Sequence, residues 1–191
     1  PHMPVAVGGM GLGVTALAAV SAEAAKVPYG PYILNAHAPD EGNMHTLHHF
    51  ATECQRERYL NPLLAGEIRS CFSMTEPEVA GSDPTLIQTT AVEEGDEWVI
   101  NGHKWFTSGA RGASFAIVIA RTDPDAEIPQ ARNSAFIVDC TSPGFEIVRD
   151  IETMAGSHNH CEILYKDVRV PKANLLGERG GGHKLGQVRL G

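Results

Sequence analysis

Beyond Gly66 the sequence breaks into short apolar runs separated by turn residues, and this punctuation limits the fold more than any other feature. Residues 86–92 and 98–100 flank Glu93-Glu94-Gly95-Asp96-Glu97, a hairpin signature. Residues 115–120, 135–138, 145–148 and 161–170 are further strand candidates. Asp123-Pro124-Asp125 and Thr141-Ser142-Pro143-Gly144 read as connectors between them. Strands spaced in this way predict a β-barrel or sandwich.

Before Gly66 the pattern is helical. The Ala-rich stretch 14–26 predicts a helix that ends before Pro28, and residues 43–59 predict a second, followed by a turn of helix at Leu60-Asn61-Pro62-Leu63-Leu64. Gly8-Gly9-Met10-Gly11-Leu12-Gly13 departs from GxGxxG spacing and reads as a flexible lead into a helix. After a glycine-rich linker at 177–182, residues 183–190 begin another helix. The fold class is therefore α+β. Residues 4–69 form the end of an N-terminal helical domain, 70–177 a middle β domain, and 178–191 a linker with the first turns of a C-terminal helical domain. Pro1-His2-Met3 reads as a cloning scar. A helical remnant with an uncovered apolar face, and a helix cut at Gly191, read as an incomplete chain.

Charge and cysteines narrow the function. A net charge of -8 without a basic tract argues against nucleic-acid binding, so an anionic ligand needs local donors. The cysteines at 54, 71, 140 and 161 show no CxxC spacing, which predicts free thiols in a reducing compartment, hence a cytoplasmic protein. No apolar run reaches the length of a membrane span. His45, His48 and His49, and His158 with His160, lack a completing carboxylate or cysteine, so no metal is expected. Glu53, Arg56, Glu57 and Arg58 read as a solvated helix face.

Two segments carry candidate chemistry: Cys71-Phe72-Ser73-Met74-Thr75-Glu76-Pro77-Glu78-Val79-Ala80-Gly81-Ser82-Asp83, and Asn101-Gly102-His103-Lys104-Trp105-Phe106-Thr107-Ser108-Gly109. Thr75 and Ser82 offer hydroxyl donors, while Pro77 and Gly81 shape a tight turn whose N–H groups could face an anion. Trp105 and Phe106 add aromatic area beside Thr107 and Ser108. An isoalloxazine ring needs this mixture of apolar face and edge donors. A strand–turn–strand with a capped turn and a core tryptophan uses the same residues, and residue chemistry leaves both readings open.

The ordered runs Met74-Thr75-Glu76-Pro77, Gly81-Ser82-Asp83 and Asn101-Gly102-His103-Lys104-Trp105 resemble the acyl-CoA dehydrogenase family. So do Val168-Arg169-Val170-Pro171 and Asn174-Leu175-Leu176-Gly177-Glu178, with Ala38-Pro39-Asp40-Glu41-Gly42-Asn43-Met44 extending the similarity into the helical part. Glu78-Val79-Ala80, the spacing after Lys104 and His160-Cys161-Glu162-Ile163 resemble the branch that includes enzymes fused to a kinase-like domain. His183 stands where the family usually has phenylalanine.

The resemblance implies FAD bound between helical and β domains. Phe72, Met74, Thr75, Gly81 and Ser82 would line the flavin and its pyrophosphate, with Thr75 near the ring's polar edge. Ser82 would also lie near the pantetheine or phosphate of an acyl-CoA substrate. Either Trp105 with Thr107, or Phe106 with Ser108, would supply the aromatic and the hydroxyl at the ring. The implied reaction is α,β-dehydrogenation of an acyl thioester, with electrons passed to an electron-transfer flavoprotein, in a homodimer or homotetramer. The catalytic base is expected beyond Gly191; Gln187-Val188-Arg189 offers no carboxylate. A non-catalytic flavin or acyl-CoA-binding subunit that needs a partner chain, and an acyl-CoA oxidase, are the alternatives.

Overall fold

In the computed structural model, which describes residues 1–154 and 156–190, helical elements precede one eight-stranded sheet. Helix α1 spans Val14–Ala24 and buries none of its residues. The short α2, Gly30–Ile33, leads to α3, Asp40–Phe50, which inserts Met44 and Leu47 into the core. The single helix expected over 43–59 is interrupted. Thr52 adopts an extended backbone and forms a capping box: Gln55 N–H donates to Thr52 Oγ1, and Thr52 N–H donates back to Gln55 Oε1. A new helical stretch therefore starts there, as α4 (Glu53–Gln55), a π-helical turn (Arg56–Leu60) and α5 (Asn61–Leu64). Met3 is 3% exposed and packs into the helix-side core.

The strands are β1 (Ser70–Ser73), β2 (Thr90–Glu94), β3 (Glu97–Ser108), β4 (Phe115–Arg121), β5 (Asn133–Asp139), β6 (Phe145–Thr153), β7 (Gly156–Pro171) and β8 (Leu175–Leu176). Their order is β6-β7-β3-β2-β4-β5-β8, with β1 added parallel to β4. The β2–β3 hairpin turns at Gly95-Asp96, within the expected connector. Strand β2 begins at Thr90, not at residue 86. Pro84–Leu86 forms a 3-10 turn, and the N–H groups of Gln88 and Thr89 donate to the Glu76 carboxylate instead of a neighbouring strand.

Strand β4 explains why its sequence lacks polar alternation. Phe115, Ile117 and Ile119 join a cluster with Met44, Leu47, Leu60 and Leu63 from the helices. Ala116, Val118 and Ala120 join a second cluster with Ile100, Ile163, Tyr165 and Val170 from β3 and β7. Both faces are covered, so both must be apolar. The second cluster draws on strands far apart in the order, which means the sheet folds over its own interior. Helix α6, Gly182–Leu190, packs against α3 and β5 and contributes Leu185 to the first cluster.

Candidate functional site

Two segments singled out by their residue types meet at the end of β1 and the end of β3. Trp105 N–H donates to Thr75 O over 3.0 Å, and Lys104 Nζ donates to Met74 O over 2.7 Å. Lys104 continues to Glu76 Oε1 at 2.9 Å, with both side chains out of solvent. Burial works against both charges, drawing Lys104 down to about 8 while the neighbouring ammonium and the donated hydrogen bonds hold Glu76 below the usual glutamate range. Glu76 is thus a structural anchor for the loop that follows β1.

A β-bulge decides what β3 presents. Lys104 pairs with Ile163 and Thr107 with Cys161, so Trp105 and Phe106 together oppose Glu162. Lys104 and Thr107 both point inward as a result. Thr107 is fully buried, and its Oγ1 lies 3.2 Å from Ser73 Oγ, which in turn accepts from Tyr165 O–H at 2.9 Å. Phe106 takes the left-handed backbone conformation, φ 50°, and leaves 44% of its surface exposed. Its ring meets Trp105 edge-on, with centroids 5.0 Å apart. The indole Nε1 of Trp105 is buried with no hydrogen-bond partner among the described residues. Ser108 lies just past the bulge with Oγ 2.7 Å from His160 Nδ1. It opens on a cleft of about 380 Å³ shared with His37, Asp40 and Arg69.

The remaining sequence-selected residues sit nearby. Phe72 and Met74 are half-buried and line a small cleft of about 170 Å³ with His183, Gln187 and Arg189 of α6. Thr75 is half-buried, while Gly81 and Ser82 are exposed in the loop after Glu76. That loop folds back, since a Cβ at Gly81 would come within 3.0 Å of Thr75 Cγ2.

Three residues quoted in the sequence were given no role there. Lys104 holds the two segments together; an inward lysine on a strand, with Glu76 in the neighbouring motif, was the available signal. His103 bridges Glu78 Oε1 at 2.6 Å and Glu162 Oε1 at 2.9 Å, tying the loop to β7. Arg189 lays its guanidinium over Phe72 at 4.2 Å, and nothing local marks it. Among the described residues no group of three or more His, Cys, Asp or Glu could hold a metal ion. The side chain of His158 lies outside the described residues. No described helix is long and apolar enough to cross a membrane.

An exposed phenylalanine beside an unpartnered indole N–H, with hydroxyls and a folded loop around them, suits a flat aromatic ligand carrying edge acceptors. The residues present therefore fit an isoalloxazine.

Residues 71–168 match the acyl-CoA dehydrogenase middle domain, and residues 1–67 match the acyl-CoA dehydrogenase N-terminal domain. A probable acyl-CoA dehydrogenase of Mycobacterium tuberculosis, FadE2, is 51% identical over 165 residues, which are 84% of this chain and 40% of that protein. Human acyl-CoA dehydrogenase family member 11 is 39% identical over 187 residues, 95% of this chain and 24% of that protein. The solved butyryl-CoA dehydrogenase from Megasphaera elsdenii superposes with a TM-score of 0.73 at 33% identity, over 84% of this chain and 41% of that one. The chain thus spans less than half the length of these relatives.

Proposed function

The chain belongs to the acyl-CoA dehydrogenase family, whose members are flavoproteins, and from that premise we propose that it forms the flavin-holding part of an FAD-dependent acyl-CoA dehydrogenase. The observation that carries this reading is the β3 bulge. It turns Phe106 outward and leaves Ser108 at the cleft shared with His37 and Arg69, while Thr107 Oγ1 is engaged inside by Ser73. Of the two registers, Phe106 with Ser108 is the one we assign to the ring.

In this reading Phe106 and Trp105 would wall the ring from water, and the unpartnered Trp105 Nε1 would be the donor offered to it. Ser108 Oγ, held 2.7 Å from His160 Nδ1, would be the hydroxyl offered to the ring's reactive edge. Phe72, Met74 and Thr75 line the ring, and the backbone and hydroxyls of Gly81 and Ser82 face phosphate or pantetheine oxygens. Bound FAD supplies the hydride acceptor for α,β-dehydrogenation. None of these residues can take the α-proton. Glu76 is committed to Lys104, Gln88 and Thr89, and Glu178 is exposed beyond β8. We assign the base to the remainder of the protein.

We further propose an electron-transfer flavoprotein as acceptor, assembly as a homodimer or homotetramer, and a cytoplasmic location, the last on the four unpaired cysteines. The test is the visible spectrum of the full-length protein and its anaerobic response to acyl-CoA thioesters. Flavin absorbance that bleaches on thioester addition is expected. A colourless protein, or a flavin that no thioester bleaches, overturns the reading in favour of a binding subunit. Stoichiometric peroxide during aerobic turnover would make it an oxidase.

A further inference from the structure

Ser108 and His160 are cross-strand partners of β3 and β7, just past the bulge, and both are half-buried. Hydrogen bonds on either side keep them together. Gly109 N–H donates to Asn159 O at 2.8 Å. The Asn159 side chain accepts from Arg111 N–H at 2.9 Å and donates to Arg111 O at 3.1 Å. The turn after Ser108 is thereby fastened to the residue before His160. Across this fastening Ser108 Oγ lies 2.7 Å from His160 Nδ1. The other acceptor for the hydroxyl among the described residues is Phe106 O, and its 3.5 Å separation exceeds the ordinary O–H···O range. The imidazole is the partner that orders the hydroxyl.

What Ser108 can then offer follows from counting hydrogens. A hydroxyl has one hydrogen and two acceptor lone pairs. Where Nδ1 carries a proton, it donates to Ser108 Oγ and the serine hydrogen is free to point into the cleft. Where Nδ1 is bare, it takes the serine hydrogen and the cleft meets lone pairs alone. An imidazolium has hydrogens on both nitrogens, so protonation enforces the first arrangement. The charged groups around the cleft are bound to one another. Asp40 accepts from Ser70 and meets Arg69 and His37, each at 3.4 Å, while Arg111 is paired with Asp150 of β6. Among the described residues no carboxylate or guanidinium bonds the His160 ring, so Ser108 is the group that responds to its state.

We infer that His160 is a positioning residue that acts through Ser108: the state of its Nδ1 sets whether the hydroxyl offers a hydrogen or a lone pair to the isoalloxazine edge. The inference rests on the flavin reading above and deepens it. Acceptors on the ring edge are met by the first arrangement and not by the second.

The test uses the full-length protein. FAD affinity is read by flavin fluorescence, the bound ring by its absorbance, and the His160 ring nitrogens by nuclear magnetic resonance of the FAD-free protein. His160→Leu should weaken FAD binding at pH 6 by about fivefold, the scale of one hydrogen bond, and shift the flavin absorbance. His160→Asn, whose amide can donate to Ser108 without titrating, should keep most of the affinity. Wild-type affinity should fall as the pH rises through the imidazole transition seen by resonance, and His160→Asn should lack that fall. His37 is common to both proteins, so the comparison cancels its titration. In a Ser108→Ala background His160→Leu should change neither affinity nor absorbance further, because the pair acts as one unit. An undiminished His160→Leu effect in that background overturns the inference, and so does an equal fall with pH in His160→Asn. A clear Ser108→Ala effect beside a silent His160→Leu overturns the inference alone. If Ser108→Ala leaves both affinity and absorbance unchanged, the assignment of Ser108 to the ring fails and the inference falls with it.

Discussion

Lys104 Nζ lies 2.9 Å from Glu76 Oε1, and neither side chain is more than 1% exposed. Removing one member leaves an unpaired charge in the interior. Lys104→Met should cost about 3–5 kcal/mol by urea unfolding, and adding Glu76→Gln should recover much of it. Glu76 has a folded-state pKa below its ordinary 4.5, so its contribution is fully present above pH 4.5 and is lost as the pH falls through the lowered value. Urea midpoints measured from pH 6 downward should drop more steeply for the wild type than for the double variant.

Thr107 and Ser108 are neighbours with opposite expected phenotypes. Thr107→Val removes the buried contact to Ser73 and should cost roughly 1–2 kcal/mol of stability while FAD affinity is retained. Ser108→Ala should leave the melting temperature alone and alter the flavin's affinity and absorbance spectrum. The reverse outcome in parallel thermal melts and flavin titrations would return the ring to Thr107.

Gly102 is required by proximity. A Cβ there would overlap Thr89 Oγ1 and Cγ2, and Thr89 N–H is one of the donors to Glu76. Gly102→Ala should therefore destabilise by about 1–3 kcal/mol, the scale of overpacking in a filled interior. Combining it with Thr89→Gly should give less than the sum of the two single effects in equilibrium unfolding.

His103 should titrate above its ordinary value of 6.5. Burial alone would lower it, but the hydrogen bonds and charges of Glu78 and Glu162 outweigh burial. A raised folded pKa means the contribution is complete below pH 6.5 and fades as the pH rises through the folded value. Nuclear magnetic resonance titration of the imidazole should give that raised pKa. Hydrogen exchange in the 77–83 loop, after division by the intrinsic base-catalysed rate, should show lower protection on the alkaline side, and His103→Gln should remove that loss of protection.

Local features legible in the sequence were those governed by local chemistry. The Gly95-Asp96 hairpin, the unbroken apolar run of β4 and the Ala-rich α1 each follow from residues next to one another. The break at Thr52 was legible too, since Thr52 and Gln55 form a capping box three residues apart, but a continuous helix was read across it. The start of β2 was not legible, because it depends on Glu76 capturing the N–H groups of Gln88 and Thr89 from a distant segment.

The ordered motifs determine by themselves the family, and with it the helical and β composition; the two segments proposed to hold a flavin come from the same motifs. Which hydroxyl faces outward was decided by the tertiary structure alone. The parity of β3 reverses at a bulge set by pairing with Cys161 and Ile163, strand neighbours more than fifty residues away in the chain. Arg189 likewise reaches Asn43 across 146 residues of sequence. Spacing along a chain reports periodicity within an element, whereas bulges and stacked cations arise from how elements meet.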